Sequence, residues 1–331
     1  MGSATNLTDV LLSHSNTTSF PSPANASAVH QLSPGIITTT VLSVTFNVLG
    51  VLFALSSASL RTPFNVYIVA LMCSNIAFET WECSMLGLMD AYGLVGLGSS
   101  VCTLRLYGVY VLAPIVYHTH FLITLNRAWA ILWPVSYRAR HNHTVAGLLC
   151  AAMVGYVHLM MLPELLRDHL YYRLPLEYGC WLNAARQVTL TEFTSIWMYD
   201  VPCACVYIIY PFLLWKMLAR RRAKRRNRSD NPAAQRAPLE SSNRPFILLT
   251  LYTCSTLVCW LPIMIFYLFA TFFPAVPLSP AFFQGTSILY NLQSILDPLI
   301  FAITASNVLY SMYSHGFVII FDEVNQILQT L

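Results

Sequence analysis

Long neutral runs alternate along this chain with short polar connections. Seven predominantly apolar runs, each longer than 18 residues, lie at residues 36–60, 65–89, 103–131, 144–162, 194–218, 246–273 and 281–305; the first, fourth and sixth hold no charged side chain, whereas the second carries Glu79 and Glu82 and the fifth Asp200. A helix rising about 1.5 Å per residue needs about 20 residues to cross roughly 30 Å of hydrocarbon. The pattern therefore predicts an all-α membrane protein: a seven-transmembrane helix bundle over residues 36–305, preceded by a polar tail at 1–35 and followed by a segment at 306–331. Beyond residue 305, Phe317, Ile320, Phe321, Val324, Ile327, Leu328 and Leu331 recur at helical spacing. They predict a short cytoplasmic amphipathic C-terminal helix that lies on the inner leaflet or packs on a partner protein.

Composition agrees with the pattern. The 331 residues are 56% apolar and only 10% charged, against roughly 25% charged in soluble domains, which excludes an ordinary soluble enzyme. The distribution of basic residues sets the orientation, because Lys and Arg are retained on the cytoplasmic side. With the N-terminus outside, Arg61, Arg127, Arg138, Arg140 and the ten basic residues from Lys216 to Arg244 are internal; Arg105, Arg167, Arg173 and Arg186 are external. The basic run 220–228 then anchors the inner end of the fifth span against anionic lipid. Residues 1–34 hold no Lys or Arg and no apolar core, so the first span directs insertion rather than a cleavable signal. Asn6, Asn16 and Asn25 each open an acceptor triplet in this Ser- and Thr-rich tail, as glycosylated sites or as products of a biased composition.

Seven of the nine cysteines lie within spans and suit a packing role. Cys102, at the outer start of the third span, and Cys180, in the outer loop before the fifth, both face the oxidising compartment and form the natural disulfide pair. Ionisable groups at membrane depth are costly and are by default functional or paired. Asp297 precedes Pro298, where the ring removes a backbone hydrogen bond and lets the helix bend. It is a functional carboxylate or a protonated acid joining two helices. Glu79 and Glu82, three apart on the second span, either form an acidic wall toward a cationic ligand or meet Arg105 and each other. His118 and His120 are two apart and diverge on a helix, so with His158 they read as hydrogen-bonded packing histidines rather than a metal site or proton relay.

The 25 residues from Cys102 to Arg127 span roughly 37 Å of helix, one membrane face to the other. That spacing, with Asn126-Arg127-Ala128 at the inner end and Pro134 beyond, resembles the third helix of rhodopsin-like (class A) G protein-coupled receptors, which carries an Asp-Arg-Tyr triplet there. The resemblance extends to Asn47, to Pro202 with Tyr210, to Cys259-Trp260-Leu261-Pro262, and to the stretch from Ser294 to Phe301. It covers residues 36 to 305 and marks a divergent member. Asn126 and Ala128 replace the acid and Tyr of the triplet, Phe301 the final Tyr of helix seven, and Thr256 an aromatic residue below Trp260; helix four lacks the family's Trp. Asn75 and Asp297 look like the family's helix-two acid and helix-seven amide exchanged. Val116 and Gln293 stand where its sodium pocket has Ser and Asn.

The resemblance implies a plasma-membrane, multi-pass receptor that binds an extracellular ligand and activates a heterotrimeric G protein, with arrestin and membrane lipids as further partners. It implies no enzyme activity, cofactor, metal or nucleic acid. Pro262 would give the helix-six bend, Trp260 the pocket floor, and Tyr210 with Arg127 the hold on the opened state; Asn126, Asn75, Asp297 and Pro298 complete the switch. The ligand candidates are Val109, Tyr110, Ala113, Ile263, Met264, Tyr267, Ser287 and Asn291. Val109 stands where amine receptors place an Asp, which favours a peptide or a non-amine small molecule. A seven-helix ion or proton pathway is the alternative from another class. A retinal protein is excluded, because the only lysines, Lys216 and Lys224, fall on the cytoplasmic side.

Overall fold

A computed structural model describes residues 34–56, 58–173, 180, 182–183, 186–229, 244–272 and 280–312. The acceptor triplets of the tail and the amphipathic pattern 317–331 lie outside these residues. The described chain forms seven long helices: α1 (Pro34–Ser56), α2 (Pro63–Tyr92), α3 (Gly98–Leu132), α4 (His143–Tyr172), α5 (188–229), α6 (Arg244–Phe272) and α7 (Pro280–Met312). α1, α3, α4, α5 and α7 are long and apolar enough to cross a membrane, and α6 holds a shorter apolar stretch, Thr250–Phe266. The bundle turns Leu52, Leu159, Ile208 and Val258 outward, each more than half exposed. Such a surface belongs in lipid rather than water.

Local chemistry starts and stops the helices. Thr62 caps α2 by accepting from the Asn65 amide at 3.3 Å, with Pro63 next, and Gly93 at φ 71° ends the helix. Asn142 caps α4 at Val145 N, 2.9 Å. A seven-residue helix, Pro134–Arg140, connects α3 to α4. Within lipid, hydroxyls turn back on their own helix, as Thr119 does to the Ile115 carbonyl and Thr124 to that of His120.

The helices run past the expected spans. α4 continues through Pro163 to Tyr172, α5 reaches Ser229 and α7 reaches Met312 rather than residue 305. The hydropathy of a run reports only its lipid-facing length, whereas a helix continues wherever its backbone remains bonded. Five-residue π turns interrupt α3 at Gly108–Leu112, α4 at Asp168–Tyr172 and α5 at Ile196–Asp200. All three lie toward the end of the bundle that carries the Cys102–Cys180 bond. At Gly108 the missing side chain admits Trp81, whose Cδ1 would stand 2.6 Å from a Cβ.

Candidate functional site

At one end of the bundle Cys102 and Cys180 are bonded, with Cα atoms 5.5 Å apart. A polar anchor seats the chain around Cys180. Arg173 donates to Asp168 at 2.6 Å and to Thr103 at 3.1 Å; Asp168 also accepts from the Asn183 amide at 2.8 Å, and Asn183 donates to the Tyr172 carbonyl at 2.7 Å. The two carboxylates left open by the sequence separate here. Glu82 meets Arg105 at 3.0 Å, while Glu79, buried, accepts from Thr40 of α1 at 3.2 Å.

Of the residues singled out for ligand contact, Ala113, Ile263 and Met264 are buried, and Tyr110, Ser287 and Asn291 are partly buried. Val109 lies in the α3 π turn, where its carbonyl accepts from Tyr199 at 2.8 Å; the Tyr267 side chain lies outside the described residues. Below them stands an aromatic group that sequence reasoning missed. Tyr117 meets Trp260 at 4.6 Å, Tyr290 at 5.6 Å and Tyr199 at 5.7 Å between ring centroids. Tyr117 is four residues beyond Ala113, on the same helix face, which was the available signal.

Under Trp260 the polar centre gathers. Asp297 Oδ2 accepts from Asn75 Nδ2 at 3.2 Å and faces His120 Nε2 at 3.1 Å; its other oxygen accepts from Gln293 at 2.7 Å. Asn75 also donates to Asn47 Oδ1 at 3.3 Å, and Asn47 donates to the Ser294 carbonyl at 2.8 Å. Ser43 and Ser294 share a hydroxyl–hydroxyl hydrogen bond nearby. Five helices are thus joined through one carboxylate: α1 through Asn47, α2 through Asn75, α3 through His120, α7 through Asp297 and Gln293, and α6 through the Trp260 ring. His120 is thus a hydrogen-bonded packing histidine whose partner is the central carboxylate. Its ring lies edge-on to Trp260 at 4.6 Å and to Tyr252 at 6.3 Å. Thr256 bonds back to the Tyr252 carbonyl. His118, by contrast, bonds only its own helix, at the Pro114 carbonyl, 2.9 Å, and His158 bonds Tyr107 at 2.9 Å.

Toward the opposite end, the Arg127 guanidinium lies 3.3 Å over the centre of the Phe64 ring, a cation–π contact across α2 and α3. Tyr210 and Tyr252, both buried, join Ile300 in the apolar cluster at this end. Asn126 turns away from Arg127 toward the connecting helix, where Tyr137 donates to its Oδ1 at 3.2 Å. Pro262 and Pro298 lie inside α6 and α7. No group of three or more metal-binding side chains occurs among the described residues.

Residues 46–301 match the 7 transmembrane receptor (rhodopsin family). Among relatives, the muscarinic acetylcholine receptor M4 of Gallus gallus is 24% identical over 61% of this chain and 42% of its own length. The muscarinic acetylcholine receptor M1 of Homo sapiens is 26% identical over 63% of this chain and 44% of its own. The chain thus aligns with less than half the length of these curated relatives. The match over most of the chain, on a bundle of seven helices in which Asn47, Asn75 and Asp297 bond α1, α2 and α7 together, makes this protein a multi-pass membrane protein of the rhodopsin family of seven-transmembrane receptors.

Proposed function

We propose that this chain is a plasma-membrane receptor that binds an extracellular ligand at the disulfide end of the bundle and activates a heterotrimeric G protein at the Arg127 end. It acts by conformational change and catalyses no reaction. One observation carries the reading: an unbroken sequence of contacts from Tyr117 to Trp260, to His120 and to Asp297, through the axis of the bundle. A ligand that shifts Trp260 displaces a ring packed on the histidine that bonds the central carboxylate. Such a shared polar centre has discrete arrangements rather than a continuum, as a two-state switch requires. Arg127, held by Phe64 and free of any carboxylate among its described contacts, is placed to exchange that aromatic seat for a partner protein.

The relatives' names carry acetylcholine, but Val109 offers a backbone carbonyl to Tyr199 rather than a carboxylate to an ammonium. The Ala113, Ile263 and Met264 walls, with Ser287 and Asn291, suit a peptide or a non-amine small molecule. Ligands should be screened against a panel of reconstituted G proteins, reading nucleotide exchange. Ligand-dependent exchange that Arg127→Ala abolishes supports the proposal; ion flux through the purified protein without G protein would replace it with a pathway function. Topology is tested separately. Deglycosylation should change the gel mobility of the wild type, and an antibody reaching a tag in the 220–228 region on intact cells would overturn the orientation.

A further inference from the structure

At the Arg127 end, three elements meet on one imidazole. His141 lies just after the Pro134–Arg140 helix, its ring stacked on Tyr137 at 4.4 Å and 17° and on Tyr67 of α2 at 5.8 Å and 16°. Trp129 of α3 stands edge-on to both Tyr137 and His141. The His141 Nε2 atom is 3.0 Å from Asn126 Nδ2 and 3.2 Å from the Tyr67 hydroxyl. Because Tyr137 donates to Asn126 Oδ1, the Asn126 amide presents its NH₂ to the imidazole, and an NH₂ can only donate. Nε2 must therefore carry a lone pair. With the Asn126 amide in this orientation, the ring that fits is the neutral tautomer with its proton on Nδ1.

We propose that His141 is a positioning residue for the receptor's coupling face: neutral, it fixes Asn126 and clamps the Pro134–Arg140 helix to α2 and α3, and protonation releases that clamp. A proton on Nε2 turns the acceptor into a donor facing a second donor. While Tyr137 holds Asn126 Oδ1, the Nε2–H and the Asn126 NH₂ face each other as two donors and that contact is lost, and the Tyr67 hydroxyl can then only accept from Nε2. One proton thus breaks the His141–Asn126 contact, next to Arg127.

The groups facing His141 are Tyr67 from α2, Asn126 and Trp129 from α3, Tyr137 from the connecting helix and His143 from the start of α4. Burial first, and then the charge of His143, hold the His141 imidazole below its usual range. Tyr137 stays an un-ionised donor, because burial raises its phenol although Arg127 and Asn126 pull the other way. The sign follows: the neutral clamp is intact above the ordinary imidazole pKa of about 6.5 and is lost as pH falls through the depressed value.

The inference rests on the proposed function only in naming this end the coupling face, so its test reads the clamp without any G protein. Amide hydrogen exchange of residues 134–140 is measured on the purified receptor in lipid nanodiscs between pH 7.5 and 5, corrected for the intrinsic pH dependence of exchange. Wild-type protection should fall as pH drops below the ordinary imidazole range, by at most about tenfold per pH unit. His141→Phe, which keeps the ring stack but has no nitrogen, should be less protected at neutral pH and flat with pH. His143→Ala should move the wild-type midpoint upward. A flat wild-type profile, or a His141→Phe profile parallel to it, overturns the proposal, and so does a midpoint unmoved by His143→Ala. Should exchange respond as expected while no G protein is activated, the coupling function fails and the clamp stands.

Discussion

The contact between His120 and Asp297 makes a quantitative prediction. Their side chains are 0% and 1% exposed and the Nε2–Oδ2 distance is 3.1 Å. Asp297→Leu removes the acceptor shared by His120, Asn75 and Gln293; Asn75 keeps Asn47 and Gln293 keeps Ser255, so His120 Nε2 is the donor left without a partner. His120→Leu removes one of these donors and leaves the carboxylate with two. Interhelical hydrogen bonds in a membrane are worth about 0.6 kcal/mol on average and up to about 1.7; a fully buried pair belongs near the upper figure. The double mutant should therefore be less destabilised than the two single mutants together, with a coupling of about 1.5 kcal/mol. At about 2–4 °C per kcal/mol for a chain of this order of size, that is a non-additivity of about 3–6 °C. The melt can be followed with a thiol-reactive dye, since Cys203 and Cys259 are buried in the fold and become reactive on unfolding. Apparent midpoints are compared at one scan rate, because unfolding of such proteins is commonly irreversible. Effects that add to within about 0.5 kcal/mol would mean that His120 and Asp297 do not interact, and would remove the link between Trp260 and the central carboxylate.

Three further outcomes follow from other contacts. Cys102→Ala and Cys180→Ala should lose surface expression equally, by a destabilisation of about 2–5 kcal/mol, and the double mutant should match either; single mutants that differ would mean the bond does not form in the cell. Asn126→Asp should lower ligand-free second-messenger output per surface receptor roughly fivefold, if the restored charge on Arg127 is worth about 1 kcal/mol; output equal to or above wild type would show that the neutral Asn126 does not set the basal level. Gly50→Ala should lower the melting midpoint, because its Cβ would stand 2.8 Å from Met72 Sδ and 3.0 Å from Pro298 Cβ. Overpacking of this kind costs about 1–3 kcal/mol, and an unchanged midpoint would contradict the close approach of α1, α2 and α7.

The spans were legible because lipid leaves a long apolar run no other use, and the disulfide because only Cys102 and Cys180 lay outside the spans. Helix ends were not, since nothing in hydropathy marks where α7 stops once it has left the lipid. Asn75 facing Asp297 was legible only through the family's order of residues. His120 was hidden: its partner is 177 residues away, and helical periodicity compares a residue only with neighbours on its own helix. The Glu79 and Glu82 alternatives could be settled only by tertiary structure, because Arg105 reaches one of them and not the other.

The π turns of α3, α4 and α5 bear on how ligand positions are transferred between receptors. A turn closed by i→i+5 bonds holds one residue more than its α-helical counterpart, which resets the helical phase beyond it by about 100°. In α3 the reset falls at Gly108–Leu112, between Cys102 and Arg127. Residues counted outward from Arg127 and residues counted inward from Cys102 therefore obey two different wheels, which meet at Val109 and Tyr110. A mutational scan that follows a single wheel along α3 will alternate between true and false faces at this point. The same resets in α4 and α5 shift the helical phase at the disulfide end by one residue, while the register of α3 from Tyr117 to Arg127 is left untouched.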